Sequence, residues 1–200
     1  MSAAVINYDR CMVRWEPDSR GRLEQAALAL YGERGFDQTT VAEIAKRAGL
    51  TERTFFRHFA DKREVLFAGA GEMQALLVST VAGAPDSLGA IDAVAVGLDA
   101  AAGVLQERRE FARQRQAAIA ANTELREREL IKLASWSTAL ADTLRRRGVT
   151  EPEASLSAEV GIAVFRIAFD RWISGANGQE FPQLIRESLD QLKTVTTGGD

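Results

Sequence analysis

The chain has 200 residues, of which 46% are hydrophobic and four are prolines, and its formal net charge is −3 at pH 7. Its length allows one large domain or two smaller ones, and its abundance of alanine, leucine, arginine and glutamate favours helix over strand. One cysteine and one histidine exclude an internal disulfide and a paired metal-ligand motif, so we expect no metal and no cofactor.

The first 18 residues have no helical pattern, and we interpret residues 1–18 as a tail. Cys11 lies in this tail, and a passive cysteine is expected there, with a reactive role as the alternative. No run approaches the roughly 18 apolar residues of a membrane helix, and the start lacks the apolar core of a signal peptide. We therefore expect a cytoplasmic protein without a membrane partner.

Helical spacing and capping residues predict three helices in the next fifty residues. The first covers about residues 19–34, where apolar side chains recur on one face. Thr40 and Glu43 form a capping box that begins a short second helix, and Gly49 follows that helix where a left-handed cap is common. Thr51 caps a third helix so soon afterwards that the two must meet steeply across a tight turn.

The remaining pattern is also helical. Asp61 begins a predicted fourth helix that runs to about Ala82, before a break with Pro85. Further helices are predicted at about 87–107, 108–121, 123–147, 152–175 and 181–194, of which the first two could form one bent helix. The expected fold class is all-α, with an N-terminal three-helix domain at 19–67 and a larger C-terminal helical domain at 68–200.

The segment GFDQTTVAEIAKRAGLTERTFFRHFADKREVL carries a specific combination of motifs. It joins a glycine-aromatic helix stop, a threonine-rich cap, an A-x-x-A-G-L turn and a T-F-F-x-H-F-x-x-K run in one register. In this it resembles the helix-turn-helix DNA-binding domain of the TetR family of transcriptional regulators, over roughly residues 20–67. The resemblance implies a homodimer, usually a repressor, that leaves its operator when a small molecule binds the C-terminal domain.

The side chains expected to contact double-stranded operator DNA lie around the third helix. Arg53 is the first choice for reading a base, because a guanidinium can form two hydrogen bonds with guanine O6 and N7. Free N–H groups at the start of the second helix favour a phosphate near Thr39 or Thr40. The predicted DNA-binding set is Thr39, Thr40, Thr51, Glu52, Arg53, Thr54, Phe56, Arg57, His58 and Lys62.

The resemblance assigns phosphate contacts to His58 and Lys62. Phe56 stands where the family usually has a tyrosine, so one hydroxyl directed at a phosphate is missing and Arg57 is a candidate to compensate. The alternatives are that Arg53 and Arg57 are solvated surface charges and that His58 is structural. The prediction therefore depends on the combined register of these residues.

The C-terminal domain is predicted to hold the dimer interface and a ligand site. The helices at 152–175 and 181–194 carry more apolar surface than one face needs, so Phe165, Phe169, Trp172 and Leu189 are expected at a dimer interface. The alternative is that these side chains close the core of a single chain. An apolar or partly apolar effector is expected within 87–147, with the candidate pocket residues Phe111, Gln114, Arg115, Asn122, Leu133, Trp136 and Leu140.

These patterns favour a regulator over an enzyme. The sequence has no G-x-S-x-G, no phosphate loop and no Glu-x-x-His pair of a di-iron bundle. We therefore expect a transcription regulator without catalytic activity that binds a palindromic operator. The alternative is a helical adaptor that binds protein, without DNA or ligand function.

Overall fold

The computed structural model of the chain describes residues 19–175 and 178–197, and within them every regular element is helical. The all-α prediction is confirmed, whereas Cys11 and the rest of the predicted tail lie outside the described residues. The helices are α1 (Ser19–Arg34), α2 (Val41–Arg47), α3 (Glu52–His58), α4 (Ala70–Ala82), α5 (Ala90–Gln106), α6 (Arg109–Ala120), α7 (Thr123–Arg146), α8 (Glu153–Ser174) and α9 (Phe181–Thr197), with a 3₁₀ turn at Glu64–Phe67 between α3 and α4.

Residues 19–69, which we call the head, pack around their own hydrophobic cluster. Leu23, Ile44 and Phe55 are fully buried at its centre, where α1, α2 and α3 meet. The apolar positions predicted from helical spacing thus face inward. Ile119 at the end of α6 and Leu125 at the start of α7 join the same cluster, so the head is packed onto the rest of the chain.

The predicted continuous helix from residue 61 to 82 is wrong, because the backbone breaks at Gly69 between the 3₁₀ turn and α4. An α-helix would pair the carbonyls of Leu66 and Ala68 with N–H groups four residues later. In the structure the Arg115 Nε donates to the Leu66 carbonyl at 2.6 Å, and Arg20 donates to the Ala68 carbonyl. Two arginine side chains therefore take the acceptors that a continuous helix would need.

Residues 70–197, which we call the body, form a bundle of six helices around a second hydrophobic cluster. The predicted helices there are confirmed within a few residues at each end, and α5 and α6 are separate helices. Close packing of α8 on α5 needs a glycine at position 161, since a Cβ there would clash with Val94. The body cluster is distinct from the head cluster, and α6 and α7 contribute residues to both.

Helix α8 is apolar on two faces, and the structure decides which one is internal. Phe165, Trp172 and Leu189 are buried in the core of a single chain, and Phe169 packs against the same cluster. These four side chains form little exposed surface in the single chain, which agrees with the alternative that they close its own core. The outer face of α8 carries a different apolar stripe, formed by Leu156, Val160, Ala163 and Ile167.

The segment Glu64–Ala82 is long and apolar enough to resemble a membrane span by composition alone. The turn at Gly69 divides it, and α4 packs against α5 and α7 within the body. This packing covers only part of the apolar surface of the segment, and a single segment of this kind is only weak evidence for a membrane role.

Candidate DNA-binding surface

The turn between α2 and α3 is built from local signals that the sequence carries. The Thr40 hydroxyl caps α2 by accepting from the Glu43 amide, and the Glu43 carboxylate accepts from the Thr40 amide at 2.9 Å. These bonds hold the pKa of Glu43 below its usual value. The chain then turns at Gly49 with a φ of +65°, a conformation that favours glycine, and the predicted capping box and left-handed cap are confirmed.

The side chain of Arg22 on α1 also holds this turn in place. Its Nη2 donates to the Ala48 carbonyl at 2.5 Å, and a Cβ on Gly49 would lie only 2.7 Å from the same nitrogen. The turn is therefore specified both by the backbone conformation of Gly49 and by a tertiary contact, which sequence periodicity alone does not reveal.

Helix α3 presents a polar and basic outer face. The Thr51 hydroxyl caps the helix by accepting from the Thr54 amide at 3.2 Å, while Phe55 points into the head core. Helix α3 thus packs against the head through one face and leaves its other face exposed. The exposed side chains on or next to α3 are Thr51, Glu52, Arg53, Phe56 and Arg57.

Phe56 is unusual on this face because 56% of its surface is exposed. Its ring touches the edge of Phe55, with ring centroids 5.4 Å apart, but the rest of the ring projects from the head. An exposed aromatic ring next to two arginines provides apolar contact area on an otherwise polar surface.

The two threonines before α2 differ in accessibility. Thr39 is only 1% exposed, and its hydroxyl donates to the Gly35 carbonyl at 2.9 Å, so that hydroxyl is not available to a phosphate. Thr40 is exposed, although its hydroxyl already belongs to the capping box. The expectation of a phosphate at this helix start therefore falls on Thr40 and on the N–H groups of the first turn of α2.

Lys62 is held by the head itself. Its Nζ donates to the carbonyls of Phe36 and Thr39, each at 2.9 Å, and to the Asp37 carbonyl at 3.4 Å. The ammonium group also lies 4.3 Å from the centre of the Phe36 ring. Since a lysine has three donors, these contacts can use all of them and give Lys62 a structural role within the head.

His58 also has a partner within the head. Its Nε2 lies 2.7 Å from the Ser19 hydroxyl, and the Arg57 guanidinium lies 3.5 Å away. The ring is half-buried and joins the end of α3 to the start of α1. This arrangement agrees with the structural alternative for His58 and leaves Arg57 exposed beside it.

The residues predicted to line a ligand pocket do not come together. Gln114 is exposed and bonds Glu110, whereas Asn122 caps α7 and donates to Asp37 of the head at 3.1 Å. Their polar groups are used at the surface and at a helix start, and the single chain does not bring them to one common lining. The others divide between three places: Phe111 packs on the head cluster, Leu133, Trp136 and Leu140 pack in the body core, and Arg115 lies between the two.

Ion pairs between the head and α7 were missed by sequence reasoning. Glu64 accepts from Arg128 Nε at 2.5 Å and lies 3.8 Å from the Lys132 ammonium, while Arg63 pairs with Glu124. Each pair joins residues about sixty positions apart, and no local spacing signals it. These ion pairs hold the 3₁₀ turn, which follows α3 in the chain, against α7 of the body.

Metal chemistry has no support in the described part of the chain. Across residues 19–175 and 178–197, no three His, Cys, Asp or Glu side chains are grouped to hold an ion. The head exposes polar and basic side chains on the short helix α3.

Comparison with protein families matches both parts of the chain. The family described as bacterial regulatory proteins, tetR family, matches residues 24–68, and the family described as MftR C-terminal domain matches residues 88–197. The curated regulator TcmR of Streptomyces glaucescens is 47% identical over 47 residues, which cover 24% of this chain and 21% of that protein. The chain thus aligns with only about a fifth of the length of this relative.

Solved structures are similar over nearly the whole chain. FadR from Bacillus halodurans, described as a fatty acid degradation regulator, has a TM-score of 0.64 and 20% identity, covering 92% of this chain and 97% of its own. FadR from Thermus thermophilus, solved with lauroyl-CoA, has a TM-score of 0.56 and 20% identity, covering 87% and 93%. At these identities the likeness concerns the fold.

Proposed function

The chain belongs to the TetR family of transcriptional regulators, and we propose that it is a repressor that a small molecule releases from a palindromic operator. The observation that carries the proposal is the exposed face of α3, where Arg53 and Arg57 flank Phe56 and form no ion pair with a carboxylate of the described residues. A helix of this kind enters the major groove and presents its N-terminal residues to base edges. A protein-binding adaptor would leave this basic face without a role.

Arg53 is the residue that we assign to base reading. We expect Arg53→Ala to weaken binding to the specific operator by about 1–3 kcal/mol and to flatten the preference at one base position. The measurement is a titration of the upstream region of the gene that encodes the protein, against a set of single-base variants. The control is Arg126→Ala, which removes an exposed arginine from α7 in the body.

The assignment of Arg53 is contradicted if the variant binds all sequences with the same fractional loss. A loss of that kind would make its guanidinium a phosphate contact. If neither Arg53→Ala nor Arg57→Ala changes binding to any tested duplex, the proposal of DNA binding through α3 fails as a whole.

A substitution of Phe56 is expected to strengthen operator binding, in contrast to the loss expected for Arg53→Ala. We expect Phe56→Tyr to tighten operator binding by roughly 1–2 kcal/mol, because the added hydroxyl can donate to a phosphate where the family usually has a tyrosine. The exposed ring edge leaves room for that hydroxyl. Equal tightening on specific and random duplexes would support a phosphate contact, whereas unchanged affinity would place the ring away from the backbone.

A palindromic operator requires two copies of the chain, and we propose the outer stripe of α8 as their contact. Leu156, Val160, Ala163 and Ile167 follow one another at helical spacing, and all are exposed except Val160, which is half-buried against the body core. The Ser137–Glu159 hydrogen bond of 2.7 Å joins α7 to α8, and α7 itself carries the exposed apolar residue Leu130. A two-fold contact there would cover both apolar surfaces.

The effector we propose is apolar at least in part. The body core is rich in aromatic side chains, and one structural neighbour was solved with lauroyl-CoA, a molecule with a long apolar chain. Release then follows if the effector binds a dimer whose recognition helices no longer match successive major grooves, since half-sites one turn apart demand a spacing of about 34–36 Å. The proposal places this protein in the cytoplasm with its operator and gives it no catalytic activity.

A further inference from the structure

A polar layer separates the two hydrophobic clusters where α6 and α7 pass between them. On α6, Gln116 lies one turn after Ala112 of the body cluster and one turn before Ile119 of the head cluster. On α7, Glu129 lies one turn after Leu125 of the head cluster and one turn before Leu133, which packs on the body cluster. Both polar side chains therefore occupy positions on inward faces that are otherwise apolar.

Glu129 is the centre of this layer. Its two oxygens accept from Arg115 Nη1 at 3.0 Å and from Gln116 Nε2 at 3.2 Å. The side chains of Arg115 and Glu129 are each only 21% exposed, so the pair is largely removed from water. Arg115 also donates to the Leu66 carbonyl and lies over the Phe67 ring, which connects the layer to the 3₁₀ turn of the head.

The layer contains a buried acceptor without a donor. Within residues 19–175 and 178–197 the Gln116 Oε1 has no hydrogen-bond partner, and the amide cannot be reversed to satisfy it, because the Glu129 carboxylate accepts and does not donate. An unpaired buried polar atom is costly, so an acceptor in this position favours a group that can donate a hydrogen bond to it. The Trp172 Nε1, fully buried in the aromatic group of the body core, also has no partner.

The charges around the Gln116 oxygen restrict what can pair with it. Glu129 is a direct neighbour, and Asp170 on α8 interacts electrostatically with Glu129. Burial raises the pKa of Asp170, the nearby Arg166 lowers it, and the charge of Glu129 raises it further. The positive group of the layer, Arg115, is already used by Glu129 and by the Leu66 carbonyl. A carboxylate or phosphate at the Gln116 oxygen would therefore meet an acceptor and the Glu129 carboxylate, while Arg166 offsets the charge of Asp170.

We propose that this layer receives the polar end of the effector, and that this end is a hydrogen-bond donor, a hydroxyl or an amine, attached to an apolar body. The donor pairs with the Gln116 oxygen and competes for the Glu129 carboxylate. The apolar part enters the adjoining core of Phe165, Phe169, Trp172 and Phe181, whose rings contact one another. This inference rests on the proposed ligand-released function and names its ligand class.

The contacts of the layer also give a route to the head. A donor bound at Glu129 weakens the Arg115–Glu129 pair, and Arg115 is the group that occupies the Leu66 carbonyl and keeps the chain broken before α4. A shift of Arg115 frees this acceptor, and the 3₁₀ turn can then rearrange relative to the body. The polar end of the ligand thus acts at the joint between the two clusters.

The test compares three probes that share one apolar chain, namely decan-1-ol, decylamine and decanoate. Binding is followed by tryptophan fluorescence, to which Trp136 and Trp172 in the body contribute, without DNA present. We expect the alcohol and the amine to bind at least tenfold more tightly than decanoate. Gln116→Leu should weaken the alcohol about tenfold, the loss expected for one buried hydrogen bond that leaves its partner unpaired.

The control is Gln114→Leu, the same substitution two residues earlier on the exposed face of α6. It should bind all three probes as the unsubstituted protein does. If Gln116→Leu does not fold, Gln116→Met removes the same oxygen with a side chain of similar length. Preference for decanoate, equal binding by the two leucine variants, or no binding of any probe would overturn the inference, while operator binding measured without probe tests the proposed function separately.

Discussion

Replacing Leu156 and Ile167 together by glutamate is expected to convert the protein to a monomer and to weaken operator binding about a hundredfold or more. Both side chains lie on the outer stripe of α8, and 61% and 56% of their surfaces are exposed in the single chain. The fold of one chain should therefore tolerate the change, whereas a two-fold contact would bring four carboxylates together. Loss of the second head removes the gain from simultaneous binding of two half-sites, which is about 10²–10⁴-fold.

The measurements are sedimentation equilibrium and operator titration, with thermal unfolding as a check on the fold. Val104→Glu is the matched control, because Val104 is an apolar residue of α5 with 55% exposure that lies outside the stripe. It should leave both the mass and the affinity unchanged. A doubly substituted protein that remains a dimer would locate the interface on another face.

The second large effect is expected on stability. Lys62→Met should lower the free energy of unfolding by about 2–3 kcal/mol, because three carbonyls of the segment between α1 and α2 lose a charged donor. Urea unfolding followed by circular dichroism measures this directly. Lys46→Met is the control, since Lys46 is an exposed lysine on the neighbouring helix α2 and should cost less than about 0.5 kcal/mol.

The same variant separates the structural role of Lys62 from a phosphate contact. A lost phosphate contact would lower the dependence of log affinity on log salt by about one. With Lys62 tied to the head, we expect that slope to stay unchanged in the folded variant. Full stability together with a reduced slope would return Lys62 to the DNA-contacting set.

Much of the head could be predicted from local sequence. Local signals predict the capping box of Thr40 and Glu43, the glycine turn at Gly49 and the apolar faces of α1 to α3. Each of these signals depends on residues only three or four positions apart, so it can be recognised in the sequence alone. The exposed position of Arg53 is also predicted by local helical spacing. The contacts of Lys62 within the head could not be predicted, because its acceptors lie 23 to 26 positions earlier in the chain.

The sequence by itself determined which segments are helical and that α8 is apolar on two sides. Only the tertiary structure decided which side is internal, because Phe165 and Ile167 are equally apolar and differ only in whether α9 and α5 cover them. The break before α4 was decided in the same way, by Arg115 and Arg20 reaching the Leu66 and Ala68 carbonyls from distant helices. Helix formation depends on neighbours three or four residues apart, whereas burial and carbonyl pairing depend on segments that meet only after folding.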